Sequence, residues 1–200
     1  MTAARLVVLA SGRGTNFTAI AEACRNGSLA AVVVGVLSNV EGAPVLDRAV
    51  ERGIPAVTVP SRGVARHEHE QPVLAQLASW DPDLVVLAGY MRILSEAFVQ
   101  RFAVPGRQHG RIVNVHPAPT DEYKGPDGYG WAIATGRTQT AVTVHWVDAG
   151  LDTGPVILQQ PLPVLPGDTV ESLRDRGLRV EHELYPSAIA LAIRQLQETR

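Results

Sequence analysis

Two short motifs contain the residues best suited to acyl-transfer chemistry. Asn114 and His116 stand at alternate positions near the end of an apolar run, and Pro117 follows directly. Since alternate side chains of a strand share one face, the amide and the imidazole are predicted to project to the same side. Asp152 lies farther along the chain, in a turn rich in glycine and proline. A hydrogen-bond donor, an acid–base group and a carboxylate that tunes it are the minimum equipment for acyl transfer through an oxyanion.

These residues also have an ordinary structural interpretation. An Asn-x-His pair at a strand end commonly satisfies neighbouring backbone groups, and an aspartate in a glycine-rich turn commonly forms the turn. The chemical interpretation therefore depends on further motifs in the same chain.

A glycine-rich turn lies between the first predicted strand and the first predicted helix. Its glycines let the backbone approach a ligand, and the helix start offers unpaired N–H groups and a positive dipole end to an anion. Phe17 occupies the third glycine position of a dinucleotide fingerprint, and the P-loop Gly-Lys-Ser/Thr is absent. The turn therefore favours a phosphomonoester. An ordinary turn with an Asn or Thr helix cap remains an equally open interpretation of this pattern alone.

Composition limits the partners and the setting of the chain. Its 200 residues suit a single domain, residues 1–200, whose core is large enough to fold without stabilising cross-links. A net charge of -2, from 18 basic and 20 acidic residues without a basic cluster, argues against nucleic acid as a partner. Cys24 is the single cysteine, and no apolar stretch is long enough to span a bilayer. We therefore expect a cytoplasmic protein that acts on small molecules, without a membrane partner.

The elements that must position these residues alternate at the spacing of βαβ units. Short apolar runs without polar alternation are typical of buried parallel strands, and two later strands around a turn-rich segment indicate a hairpin. The predicted fold class is α/β, a doubly wound, mostly parallel sheet with helices on both faces and a C-terminal antiparallel hairpin. The predicted strands are residues 5–10, 31–37, 56–59, 84–88, 111–115, 139–147 and 156–162; the predicted helices are residues 16–25, 43–52, 66–79, 95–102 and 170–197, the last with a break near Gly177 or Pro186.

Six ordered motifs extend over nearly the whole chain. They are Ser-Gly-Arg-Gly-Thr-Asn at 11–16, Leu-Ala-Gly-Tyr-Met-Arg-Ile-Leu at 87–94, Asn-Val-His-Pro at 114–117, His145, Leu-Asp-Thr-Gly-Pro-Val-Ile at 151–157 and Glu-His-Glu-Leu-Tyr-Pro at 181–186. Together they resemble the phosphoribosylglycinamide formyltransferase family. The resemblance implies transfer of a formyl group from 10-formyltetrahydrofolate to the amine of glycinamide ribonucleotide in purine biosynthesis, without a metal. It also implies nucleotide-phosphate binding in the N-terminal half, and folate binding and catalysis in the C-terminal half.

The same resemblance assigns roles to individual residues. Asn114 and His116 stabilise the oxyanion, and Asp152 holds the histidine protonated, because a neighbouring carboxylate raises the pKa of an imidazole. His116 or a bound water then moves the proton from the amine to the departing folate nitrogen. The remaining assignments are Gly12, Arg13, Gly14, Thr15 and Asn16 for the phosphate, Glu181 for the ribose, and Met91, Arg92, Ile93 and Leu94 for the folate.

The segment from Ala118 to Gly130 departs from the family pattern. The leucines and the later histidine of the family pattern are missing from this segment. The glycines and prolines that it contains predict a mobile lid or a specialised loop rather than a core helix. Because this loop borders the reaction site, two alternatives stay open. One is an N-formyltransferase for another amine, such as a nucleotide-linked amino sugar, and the other is a non-catalytic folate- or nucleotide-binding paralogue.

Three smaller questions also remain open from the sequence. His145 lies either near the site or in the core as a satisfied histidine. His67 and His69 have the spacing of a metal-ligand pair but lack further ligands, so a solvated helix face is preferred. Either a monomer or a homodimer is compatible with the sequence.

Overall fold

The computed structural model describes residues 3–107 and 109–198, which form a seven-stranded sheet in the order β3-β2-β1-β4-β5-β6-β7. Strands β1 to β5 pair in parallel, whereas β6 is antiparallel to both β5 and β7. The predicted mostly parallel sheet with an antiparallel hairpin is thereby confirmed. The strands are β1 Ala4–Ala10, β2 Ala31–Ser38, β3 Ala56–Thr58, β4 Leu84–Leu87, β5 Ile112–His116, β6 Gln139–Trp146 and β7 Val156–Pro163.

Helices cover both faces of this sheet. The helices are α1 Thr15–Arg25, α2 Pro44–Val50, α3 Arg66–Trp80, α4 Glu96–Gln100, α5 Gly128–Ala134 and α6 Val170–Gln197. Leu6 and Val8 of β1 pack with α1, α2 and α6, whereas Val7 and Leu9 pack with α3 and α4. Successive side chains of β1 thus alternate between the two faces of the sheet. Because both faces are buried, the strand is a continuous apolar run in the sequence.

The strand order reverses direction beside β1, which lies between β2 and β4. In an open α/β sheet, such a switch point leaves a crevice at the carboxyl ends of the strands, and ligands bind there. The glycine-rich turn follows β1, residues 91–94 follow β4, and Asn114 and His116 lie at the end of β5. The topology therefore brings three of the sequence motifs to one edge of the sheet.

The C-terminal helix is continuous, so the predicted break near Gly177 or Pro186 is wrong. Proline removes one helical hydrogen bond, but Tyr185 beside it is fully buried and its hydroxyl donates to the Leu87 carbonyl at 2.9 Å. This anchorage to the sheet holds the helix through Pro186. Gly177 serves packing instead of a break, since a Cβ there would lie 2.1 Å from the Tyr129 hydroxyl.

The prediction of a loop from Ala118 to Gly130 is only partly right, because helix α5 begins at Gly128. Asp127 caps this helix by accepting a hydrogen bond from the Gly130 N–H at 3.1 Å. A Cβ on Gly128 would lie 2.4 Å from the Pro117 carbonyl oxygen. The glycine is therefore required by close packing next to the end of β5, and its presence does not indicate mobility.

No helix within residues 3–107 and 109–198 has the length and apolar character needed to cross a membrane.

Candidate active site

Asp152 brings together the residues that the sequence singled out for chemistry. Its Oδ1 lies 3.4 Å from Asn114 Nδ2, and its Oδ2 lies 3.4 Å from His116 Nδ1. All three side chains line a cavity of about 440 Å³. The structure thus places the amide, the imidazole and the carboxylate around one space, as the sequence predicts.

A tight turn presents Asp152 to this cavity. Asp148 Oδ1 accepts hydrogen bonds from the Gly150 N–H at 3.0 Å and the Thr153 hydroxyl at 2.6 Å. Asp152 itself has a left-handed backbone, with φ of 51°, which aspartate adopts more readily than most residues. The turn around Asp152 is therefore fixed by its own hydrogen bonds.

His145 is a member of the same cluster, which resolves the question that the sequence left open. It is buried opposite Asn114 on β6, and its Nε2 lies 3.4 Å from Asp152 Oδ1. Its Nδ1 lies 2.8 Å from the Trp146 carbonyl oxygen and therefore carries a proton. His145 is thus both a satisfied buried histidine and a neighbour of the reactive groups.

The pKa of His116 is lower than usual, so the expectation that Asp152 holds it protonated is wrong. Burial lowers this pKa most strongly; the charge of Asp152 and the carbonyl of Tyr123 raise it, but they do not compensate. Burial also raises the pKa of Asp152, yet the hydrogen bond from His145 and the charges of both histidines outweigh this effect and lower it. At neutral pH the site therefore holds a neutral imidazole beside an ionised carboxylate.

Both ring nitrogens of His116 face acceptors. Nδ1 faces Asp152, and Nε2 lies 3.1 Å from the carbonyl oxygen of Tyr123. A neutral imidazole can donate to only one of them, whereas an imidazolium can donate to both. These two acceptors therefore stabilise His116 once it accepts a proton, whereas burial favours its neutral form.

The glycine-rich turn leads directly into α1. Gly14 is the N-cap residue, with φ of 74°, and no side chain caps this helix. The alternative of an ordinary Asn or Thr cap is therefore wrong. The uncapped N–H groups of the first turn remain available to an anion, with the exposed Arg13 beside them.

Asn16 differs from the other residues of this turn because its side-chain amide already has a partner. Its Nδ2 donates to Glu181 Oε2 at 2.6 Å, and the other carboxylate oxygen accepts from the Tyr129 hydroxyl at 2.8 Å. The second amide hydrogen and the backbone N–H of Asn16 are left for the predicted phosphate. Glu181 nevertheless lies next to the turn, as a ribose-binding residue should.

The predicted folate segment, residues 91–94, lines the same cavity as Asp152. Met91 and Ile93 are exposed at its wall, whereas Leu94 is buried. Ser11 links this segment to the glycine-rich turn, since its hydroxyl donates to Asn39 Oδ1 at 2.5 Å and accepts from the Met91 N–H at 2.7 Å. The two proposed substrate sites are therefore directly connected.

Helix α3 contacts the residues on either side of segment 91–94. His69 is buried with Nε2 2.8 Å from the Tyr90 hydroxyl, so the prediction of a solvated face holds only for the exposed His67. Glu70 Oε1 accepts a hydrogen bond from the Ser95 N–H at 2.7 Å. Within the part of the chain that the structure describes, no three His, Cys, Asp or Glu residues are arranged to hold a metal ion.

Sequence reasoning missed one residue of the site, Tyr129. The sequence offered no clear signal, because Tyr129 lies in the segment that departs from the family pattern. Its contact with Glu181 depends on the unpredicted helix α5, and therefore could not be derived from spacing.

Comparison with known proteins identifies the family. A family model described as formyl transferase matches residues 4–189. The chain is 38% identical over 186 residues to phosphoribosylglycinamide formyltransferase of Escherichia coli, an alignment that covers 92% of this chain and 85% of that protein. The crystal structure of glycinamide ribonucleotide transformylase 1 from Symbiobacterium toebii matches with a TM-score of 0.87 and 39% identity, covering 93% of this chain and 85% of that one.

A longer relative also matches. The chain is 36% identical over 192 residues to the trifunctional purine biosynthetic protein adenosine-3 of Drosophila melanogaster. This alignment covers 94% of this chain but only 14% of that protein's length. The similarity thus concerns one part of the multifunctional protein. With a family match over residues 4–189 and relatives aligned along nearly the whole chain, the chain belongs to the formyl transferase family.

Proposed function

We propose that this protein transfers the formyl group of 10-formyltetrahydrofolate to the amine of glycinamide ribonucleotide, a step of purine biosynthesis. The observation that carries the proposal is the convergence of Asn114, His116 and Asp152 on one cavity beside an uncapped helix start. The names of the Escherichia coli formyltransferase and of the Symbiobacterium transformylase, to which the chain is similar, support the same substrate.

The reaction begins when the uncharged amine attacks the formyl carbon. A carbon–nitrogen bond forms, and the formyl oxygen becomes an oxyanion to which Asn114 donates an N–H. His116 is neutral at first and accepts the proton that the amine loses, while Asp152 and the Tyr123 carbonyl stabilise the resulting imidazolium. The proton then moves from His116 to the folate nitrogen, while the bond between this nitrogen and the formyl carbon breaks.

Substrate placement uses both halves of a single domain, residues 1–200. Gly12, Arg13, Gly14, Thr15 and Asn16 of the N-terminal half bind the phosphate, and Glu181 of α6, in the C-terminal half, accepts hydrogen bonds from the ribose. Folate lies against Met91, Arg92, Ile93 and Leu94, which precede the midpoint of the chain but line one cavity with Asn114, His116 and Asp152 of the C-terminal half. The contact between Ser11 and the Met91 N–H aligns the two binding loops.

The reaction requires small-molecule substrates only, with 10-formyltetrahydrofolate as the cosubstrate and no metal. Whether the protein is a monomer or a homodimer, and whether it is cytoplasmic, remain predictions. The trifunctional relative is much longer than this chain, and its other activities are not part of the proposal.

A spectroscopic formyl-transfer assay with a panel of amines tests the substrate. We expect turnover of 10-formyltetrahydrofolate with glycinamide ribonucleotide, and none with a nucleotide-linked amino sugar or without amine. Turnover of the amino sugar alone would replace the proposed substrate, and turnover without amine would indicate a hydrolase. If wild type binds both substrates but transfers nothing, the protein is a non-catalytic paralogue.

A further inference from the structure

A buried carboxylate connects three helices next to the glycine-rich turn. Glu181 of α6 is only 6% exposed, and its two oxygens accept hydrogen bonds from Asn16 of α1 and Tyr129 of α5. The two donor–acceptor distances are 2.6 and 2.8 Å, which are typical of strong bonds to a charged acceptor. The orientation of Glu181 is therefore set before any ligand arrives.

The Tyr129 hydroxyl is fixed as a donor. Burial, followed by the charge of Glu181 and the hydrogen bond to it, raises the pKa of Tyr129 far above its usual value, so the phenol stays protonated. Gly177 lies directly beside this hydroxyl, and a Cβ there would be 2.1 Å from it. Only a glycine at this position leaves room for the tyrosine in its present orientation.

Asn16 has a polar atom that still lacks a partner. The residue is 8% exposed, and its Oδ1 has no hydrogen bond within the described residues, although it is buried. An ionised carboxylate can accept about four hydrogen bonds, so Glu181 also has capacity left after two. Together these atoms present acceptors only, and a ligand that satisfies them must supply O–H or N–H groups.

We propose that Tyr129, accommodated by Gly177, is a positioning residue that orients Glu181 and Asn16 to recognise the hydroxyl groups of a ribose. The inference rests on the proposed function and deepens it, because it names the residue that positions the carboxylate assigned to the ribose of the amine substrate. The phosphate, which has no donors at neutral pH, belongs to the backbone of the neighbouring turn, whereas the sugar hydroxyls belong to this acceptor pair. Tyr129 acts through Glu181 and does not touch the reacting atoms.

Tyr129→Phe removes the hydroxyl but keeps the buried ring. We expect the KM for glycinamide ribonucleotide to rise about tenfold, the effect of losing one hydrogen bond to a charged group, while kcat and the KM for folate change less than about twofold. Thr135→Val is the matched control, since it removes a hydroxyl from the exposed end of the same helix, where it contacts only the Trp131 carbonyl. This variant should retain the wild-type KM.

Binding of sugar phosphates separates a positioning role from general damage. Wild type should bind ribose 5-phosphate about tenfold more tightly than 2-deoxyribose 5-phosphate in a titration, and Tyr129→Phe should lose this preference. Gly177→Ala, which displaces the hydroxyl, should lose it as well. Equal weakening of both probes, or a preference that survives in both variants, would overturn the inference. Absence of formyl transfer by wild type would instead refute the proposed function, because the preference between the two probes does not depend on turnover.

Discussion

The Asp152 and Glu181 clusters are both built around a carboxylate, yet they are held very differently. Asp152 contacts Asn114, His116 and His145 at 3.4 Å each and faces the cavity. Glu181 accepts hydrogen bonds of 2.6 and 2.8 Å from residues of two neighbouring helices. One cluster is held by long contacts at the wall of a cavity, and the other is held by short hydrogen bonds between helices.

The difference matches what each cluster has to do. Around Asp152 a proton must arrive and leave, and catalytic hydrogen bonds are often long until the substrates are bound. Around Glu181 no group changes charge, so strong prior bonds lower the cost of ordering the site upon binding. Substitutions in the first cluster should therefore reduce kcat, and those in the second should raise KM.

The largest effect should come from His116→Ala, because it removes the group that accepts the amine proton. We expect kcat to fall about 10³-fold, within the range for loss of an acid–base group, with binding of glycinamide ribonucleotide nearly unchanged. Steady-state kinetics with circular dichroism to verify folding measures this. His67→Ala, at an exposed histidine of α3, is the control and should keep the wild-type rate. An increase in KM without loss of kcat would remove His116 from the chemical step.

The next largest effect should come from Asn114→Asp, which keeps the side-chain shape but replaces the N–H donor. We expect kcat to fall about 10²- to 10³-fold, as for loss of an oxyanion donor, since the new carboxylate also faces Asp152. Single-turnover kinetics isolates the transfer step. Asn26→Asp, at an exposed helix end, controls for the added charge. A transfer rate within threefold of wild type would exclude Asn114 as the donor.

Two glycines of the glycine-rich turn should differ in how they affect stability. Gly14→Ala forces a side chain into a backbone with φ of +74° and 2.6 Å from Val45 Cγ2, so we expect a loss of about 1–3 kcal/mol in the free energy of unfolding. Gly12→Ala meets nothing within 4 Å and should cost less than about 0.5 kcal/mol. Urea denaturation compares the two. Equal losses would contradict the structure of this turn.

The smallest effect concerns the protonation of His116. Its pKa should lie below the usual 6.5 in wild type, and lower still in Asp152→Asn, because the carboxylate raises it. Since the unfolded chain then binds the proton more readily, the contribution of His116 to stability should decrease as the pH falls below 6.5. An NMR titration of the imidazole measures both values. A higher pKa in the variant would contradict the assigned contact.

Much of the fold could be predicted because it depends on local pattern. The apolar run of β1 is buried on both faces, and the turn after it needs glycine for its backbone, so both are visible in the sequence. Helix α5 was missed because Gly128 resembles a loop residue. It is a glycine because of the Pro117 carbonyl, a contact that no local pattern reveals.

In the candidate site, too, residue identity could be predicted from motifs, whereas properties that depend on packing could not. Asn114, His116 and Asp152 were predicted from their types and motifs, and the structure brings them together. The predicted rise in the pKa of His116 was wrong, because burial depends on how surrounding elements pack and outweighs the one neighbour that the sequence suggested. Tyr129 was missed for a related reason, since its partner Glu181 lies on a distant helix.

Single-turnover formyl transfer by Asp152→Asn, with both substrates saturating, tests the central claim most directly. This variant keeps the size of the side chain but removes the charge that stabilises His116 once it is protonated. We expect both substrates to bind within about threefold of wild type and the transfer rate to fall at least about 10²-fold. A wild-type transfer rate, or a normal rate with weakened binding, would contradict the assignment of Asp152 to the chemical step.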